Sequence, residues 1–141
     1  MLVKSCTVRV RYADTDKMQL VYNGKYLEYF EVGRTELMRQ LGFEYRRLED
    51  HGFMLPVLEA YVKYGVGARY DDLLIIETFM TEIPTLKMKI QYKISVDGKP
   101  NEIVAQGYTL HVFVNSETMK PVRVPDLFTN IVRPYYEHSS E

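Results

Sequence analysis

One cysteine, three histidines and no tryptophan are present in this chain. With Cys6 as the single thiol, no intramolecular disulfide can form. A disulfide-stapled secreted domain is therefore excluded, and the reducing cytoplasm is the expected compartment. His51, His111 and His138 lie far apart in the sequence and belong to no ligand-spaced cluster, so no metal site is expected. Neither sign of charge is in excess. Eighteen Lys and Arg stand against nineteen Asp and Glu, for a net charge of −1, which argues against a general electrostatic grip on nucleic acid or an anionic membrane. No apolar run approaches the ~20 residues of a membrane span. The opening MLVKSCTVRV spaces its charges and has no signal-peptide core. There is no Gly-x-Ser-x-Gly elbow, phosphate loop or dinucleotide fingerprint. Cys6 has no assignable base and is expected to serve as a small buried group.

What remains is a chain of one-domain length, 141 residues, with 46% hydrophobic content, enough for a packed core. A single domain over 1–141 is expected. Thr7 to Tyr12 alternates, with Val8, Val10 and Tyr12 opposite Thr7, Arg9 and Arg11, as a half-buried strand does. From Lys25 to Leu41 the period becomes helical. Tyr26, Tyr29, Phe30, Gly33, Leu37 and Leu41 share one face, with Asn23 as the expected N-cap and Gly42 as the residue past the C-terminus. Gly33 on the buried face suggests either close approach of another backbone or a tolerated glycine. Tyr45 to Asp50 predicts a short helix. Pro56–Val66, Leu73–Thr81, Leu86–Val96 and Glu102–Val114 predict strands, with Asp97-Gly98 as a hairpin turn. Leu86, Met88, Ile90, Tyr92, Ile94 and Val96 face one way and Lys87, Lys89, Gln91, Lys93 and Ser95 the other, as in an antiparallel strand with one wet face. Val122–Val124 predicts a last short pairing and Asp126–Val132 a terminal helix. The class is α+β: one long central helix wrapped by a roughly five-stranded antiparallel sheet. His111, inside a strand, is expected to be structural.

The segment YADTDKMQLVYNGKYLEYFEVGR, residues 12–34, carries the chemistry. Asp14 and Asp16 sit just ahead of a helix start, where free N–H groups and a partial positive charge can polarise a carbonyl oxygen. A carboxylate held there can attack the carbonyl carbon or deprotonate a water that does. It can equally do no more than cap a turn.

The run Tyr12-Ala13-Asp14-Thr15-Asp16, then Leu20-Val21-Tyr22-Asn23 with Tyr26, Tyr29-Phe30-Glu31 and Arg34, resembles the signature of the 4-hydroxybenzoyl-CoA thioesterase family, acyl-CoA thioesterase branch. Ala68-Arg69-Tyr70-Asp71-Asp72 and Ile76-Glu77-Thr78 extend the match over nearly the whole chain. The resemblance implies the hotdog fold and hydrolysis of acyl-CoA to an acid and free coenzyme A. No cofactor is implied, because coenzyme A is part of the substrate. It gives Asp16 the catalytic carboxylate position, as nucleophile or general base, and leaves Asp14 to support the loop. Asn23 takes the helix-start position, whose backbone N–H faces the thioester carbonyl; many relatives have histidine there. Tyr22 and Tyr26 fall in the same signature as substrate-binding positions. Glu31 matches an acyl-pocket position, or is an exposed partner of Arg34. Lys87 is the one candidate left for coenzyme A phosphates. Gln19 replaces the family's loop glycine, a position of special backbone conformation or close ligand approach. A cytoplasmic homodimer or homotetramer is implied, with sheets joined edge to edge and the site between protomers. An acyl carrier protein thioesterase and a non-catalytic acyl-thioester binder stand as alternatives.

Overall fold

A computed structural model describes residues 1–137; His138 lies outside the described residues. In chain order the elements are β1 (Leu2–Arg9), a 3-10 turn (Tyr12–Asp14), α1 (Lys25–Gln40), α2 (Tyr45–Asp50), β2 (Phe53–Met54), β3 (Val57–Tyr64), β4 (Leu73–Met80), β5 (Lys87–Val96), β6 (Lys99–Asn115), β7 (Pro121–Val122), α3 (Asp126–Val132) and α4 (Pro134–Glu137). Five strands longer than two residues form one antiparallel sheet in the order β1-β4-β5-β6-β3. The two-residue strands β2 and β7 also pair with β6.

α1 lies against this sheet with Tyr26, Tyr29, Phe30, Gly33 and Leu37 buried, as its period predicts; Met38 is buried as well, whereas Leu41, expected on that face, is the half-buried C-cap. Phe30 stacks on Tyr92 of β5, with ring centroids 4.3 Å apart. A Cβ at Gly33 would press on the Thr78 hydroxyl and come within 2.8 Å of Ile76 Cγ2. The glycine therefore admits side chains of β4 rather than another backbone. The helix ends in a Schellman motif: Gly42, at φ 76, donates its N–H to Arg39, and Phe43 donates to the Met38 carbonyl. At the other end the N-cap is Gly24 rather than Asn23, and no side chain caps the first turn.

β5 alternates as expected from Lys87 to Ile94, with Met88, Ile90, Tyr92 and Ile94 buried and Lys87 and Lys89 exposed, but register shifts at Ser95 break the pattern, leaving Ser95 buried and Val96 half-buried. Asp97-Gly98 makes the turn into β6, with Val96 facing Lys99. β1 departs from expectation. It begins at Leu2 and stops at Arg9, because its ladder runs from Leu2↔Met80 to Arg9↔Leu73 and ends where β4 begins. Tyr12 consequently leaves the strand and is 77% exposed. Leu86, expected on the core face of β5, lies outside the strand and is exposed. β3 pairs with β6 along one side only and is exposed at every position except half-buried Val62.

Candidate active site

The loop between β1 and α1 is fixed by its first aspartate. Asp14 is buried, and its Oδ2 accepts hydrogen bonds from the Arg11 N–H (3.1 Å) and the Tyr29 hydroxyl (3.0 Å). Lys25 Nζ lies 3.6 Å from Oδ1. Burial alone would raise the pKa of this carboxyl. The two hydrogen bonds and the charges of Arg11 and Lys25 outweigh it and hold the group below the ordinary carboxylate range. Burial, together with the bond to Asp14, pushes the Tyr29 hydroxyl well up. The Asp14 carbonyl accepts the Tyr22 N–H at 2.9 Å, which pins the residues preceding α1. Asp14 is thus a strut between loop and helix.

Asp16 has a different environment. It is exposed, and its Oδ1 accepts the Met18 N–H (2.8 Å) and the Leu20 N–H (3.3 Å) across a tight turn. Among the described residues Oδ2 has no hydrogen-bond partner. The turn places Gln19 at φ 66, in the left-handed region. That backbone conformation is the one a glycine adopts without steric cost, which accounts for the residue type that Gln19 replaces.

Asp16 lines a cavity of about 290 Å³ together with Tyr22, Asn23, Tyr26, Tyr64 and Gly65; Leu20, Val21, Gly67 and Val104 complete the wall. The cavity lies at the start of α1. Among the described residues neither the Asn23 N–H nor the Gly24 N–H has an acceptor. These are donors of the kind a helix leaves free at its first turn. Tyr26 is buried beneath the cavity; its ring meets Tyr64 edge-on at 5.6 Å, and its hydroxyl accepts the Ala68 N–H at 3.4 Å. The arrangement offers a carboxylate oxygen, free amide donors and an aromatic floor, the components needed to add a nucleophile to a polarised carbonyl.

The fold therefore brings together Asp16, Tyr22, Asn23 and Tyr26. It does not bring in Glu31 or Lys87 from the same protomer. Glu31 lines a second groove, of about 220 Å³, with Arg34, Val57, Ala60 and Thr109. No described ion pair joins Glu31 to Arg34, whose half-buried guanidinium instead lies close enough to the Tyr92 and Tyr45 hydroxyls for its charge to act on them. Lys87 pairs with Val112, whereas Val104 of the Asp16 cavity neighbours Ala105, the partner of Ile94. Seven residues of strand at ~3.4 Å each separate the two levels by roughly 24 Å. Tyr64, Gly65, Gly67 and Val104 were not foreseen. They come from β3, its exit and β6, and only strand pairing brings them to the loop. A Gly-x-Gly after an aromatic strand was the one local sign.

Behind the second groove Tyr92, Thr109 and His111 form a buried chain. The Tyr92 and Thr109 hydroxyl oxygens are 2.6 Å apart, and His111 Nε2 is 2.8 Å from Thr109 Oγ1. This agrees with a structural His111.

An antiparallel sheet wrapped on one central helix, with its cavity at the helix start, defines a hotdog protein. In solved form, the DHNA-CoA thioesterase from Staphylococcus aureus superposes with a TM-score of 0.86 at 28% identity, over 99% of this chain and 93% of that one. The chain belongs to the Thioesterase-like superfamily, whose profile matches residues 10–132, and it is a thioester hydrolase. It is 34% identical over 123 residues to the acyl-CoA thioesterase YbgC of Haemophilus influenzae, covering 86% of this chain and 88% of that one. Identity to the acyl-CoA thioester hydrolase YbgC of Escherichia coli O157:H7 is 31% over 118 residues, covering 84% and 87%.

Proposed function

We propose that the protein hydrolyses acyl-CoA thioesters, with the Asp16 carboxylate as nucleophile or general base and the Asn23 N–H as donor to the thioester oxygen. One observation carries the reading: a single cavity unites an accessible carboxylate with unsatisfied amides at a helix start. The carboxylate is held by the Met18 and Leu20 amides through Oδ1, so Oδ2 is oriented without being consumed. As the carbonyl becomes tetrahedral, negative charge grows on its oxygen beside the Asn23 and Gly24 N–H groups and the positive end of α1. One such donor is worth on the order of 10²–10³ in rate. In the nucleophilic route Oδ2 bonds to the acyl carbon, the C–S bond breaks, and the thiolate takes a proton from solvent. Water then cleaves the anhydride and restores the carboxylate. In the base route Asp16 takes a proton from the water that attacks, collapse of the adduct expels the thiolate, and Asp16 returns the proton to it and is again a carboxylate. Tyr22 and Tyr26 supply apolar contact for the substrate.

The proposal includes assembly. β3 offers one unpaired edge with Val57, Leu58, Tyr61 and Tyr64 exposed, a surface suited to a second copy of the same strand. Joining two protomers there, as a homodimer or half of a homotetramer, would cover the groove that holds Glu31. It would also let Lys87 act only on the partner's substrate. A cytoplasmic location fits the single half-buried thiol.

The test is free-thiol release from a panel of acyl-CoA substrates by wild type and Asp16→Asn. The substitution removes charge and nucleophile at nearly constant shape, and kcat should fall by on the order of 10³ or more. An unchanged rate in a folded variant would remove Asp16 from the chemistry. Single turnover in labelled water separates the routes, because label enters Asp16 only if an anhydride forms. Offering the same acyl group on acyl carrier protein decides between the two carriers.

A further inference from the structure

The peptide that joins Asn23 to Gly24 has its two ends in different surroundings. Among the described residues its N–H, on Gly24, has no acceptor. Its carbonyl, on Asn23, accepts the Tyr26 N–H and the Tyr64 hydroxyl, each at 3.4 Å. The bond is trans and planar, so C=O and N–H point in opposite directions, and a group that grips the carbonyl also aims the N–H. Gly24 has helical backbone, φ −67 and ψ −20, which sends this N–H out past the N-terminal end of α1, where Asn23 lines the Asp16 cavity.

Tyr64 reaches the carbonyl from another element. It is the last residue of β3, 41 positions further along the chain, and pairs with Ala105 of β6. The residue after it is tied down as well, with the Gly65 N–H on the Val104 carbonyl at 2.9 Å. Tyr64 is 52% exposed, and among the described residues its hydroxyl has no other hydrogen-bond partner. A phenylalanine would fill the same edge-on contact with Tyr26, so the one structural task of the hydroxyl is its bond to Asn23. At Gly24 itself the Tyr22 ring packs on the backbone: a Cβ there would stand 2.8 Å from Tyr22 Cε1. The peptide is thus held by a hydroxyl on its carbonyl and a ring against its α-carbon.

We infer that Tyr64 is a positioning residue for the hydrolysis: its hydroxyl, acting through the Asn23 carbonyl, aims and strengthens the Gly24 N–H as a donor to the thioester oxygen. Donation to the carbonyl draws electron density from the peptide, and hydrogen bonds in such a chain reinforce one another by about 10–30%. Fixed aim matters more, because a donor already in place when charge develops on the oxygen needs no reorganisation. The inference rests on the acyl-CoA reading above and adds to it a hydroxyl that acts on no reacting atom directly.

The test compares wild type with Tyr64→Phe, which keeps the ring and removes only the hydroxyl. Hydrolysis of acetyl-CoA, butyryl-CoA and benzoyl-CoA is followed by thiol release. On the fastest of these kcat should fall about tenfold with KM unchanged, a part of the factor on the order of 10²–10³ that a whole donor supplies. An unchanged kcat would overturn the inference, and so would a change confined to KM, which makes Tyr64 a substrate contact only. Asp16→Asn holds the same thioester uncleaved, and the isotope-edited infrared stretch of its carbonyl should lie higher when Tyr64→Phe is added, because a poorer donor polarises the bond less. Equal frequencies contradict the inference while leaving the thioesterase reading intact. Without substrate, the amide nitrogen resonance of Gly24 should move in Tyr64→Phe while those of α3 stay; a Gly24 resonance that does not move overturns the contact itself. If wild type cleaves none of the thioesters, the proposed activity fails, and the Gly24 resonance still judges the grip of Tyr64 on the peptide.

Discussion

Lowering the pH should unfold this protein through His111 before it acts on the carboxylates. The imidazole is fully buried, and its pKa is held down to about 4 from an ordinary 6.5, first by burial and then by the Arg34 charge, against carbonyl contacts at Leu55 and Pro56 that favour the charged form. The sign follows from linkage. Above pH 6.5 the histidine is neutral in both states and the folded protein carries no penalty. As the pH falls toward 4, the unfolded chain binds a proton that the folded chain refuses, so stability drops. Each pH unit in that window removes up to about 1.4 kcal/mol, giving about 2 kcal/mol by pH 5. Asp14 acts in a separate window. Its lowered value adds stability that is present above the ordinary 3.8 and is lost only as pH falls through the lower folded value. Urea denaturation at pH 7.5 and pH 5.0, at one fixed protomer concentration, measures the loss. His111→Gln keeps a side-chain hydrogen bond to Thr109 within reach and removes the titration, so its two curves should lie much closer together than those of wild type. Equal pH sensitivity in wild type and variant would refute the argument.

Two other outcomes follow from packing. Gly33→Ala gains about 1 kcal/mol of helix propensity, but its methyl meets Thr78 Oγ1 and Ile76 Cγ2. Overpacking at about 1–3 kcal/mol should win, and thermal denaturation should register a less stable protein; a raised melting temperature would show that β4 yields freely. Leu58→Lys with Tyr61→Lys puts like charges on the exposed β3 edge, and sedimentation should report monomer. Unaltered assembly would move the interface elsewhere, and full activity in the monomer would confine the site to one protomer.

Much of the architecture is legible because its signals are local. The helical period from Lys25, the alternation of β5 and the Asp97-Gly98 turn each act within a few residues, and α1, β5 and the hairpin appear where those signals lie. The span of β1 was less legible, since its limits are set by its partner β4. The candidate site divides in the same way. The motif from Tyr12 to Arg34 marks the loop, and its family resemblance assigns Asp14 to the loop and Asp16 to the site, but spacing alone does not show what buries Asp14. Tyr29 and Lys25, on the helix that follows, draw Asp14 inward and leave Asp16 at the cavity.

The sequence by itself therefore determined the class of fold, the order of its elements and the pair of carboxylates worth watching, because periodicity, turn chemistry and motif spacing are written along the chain. Tertiary structure alone decided which groups hold Asp14, that Tyr64, Gly65, Gly67 and Val104 complete the cavity, and that Lys87 stands at the opposite end of its strand. Those outcomes depend on strand register and on contacts between residues dozens of positions apart, which no local window of sequence contains.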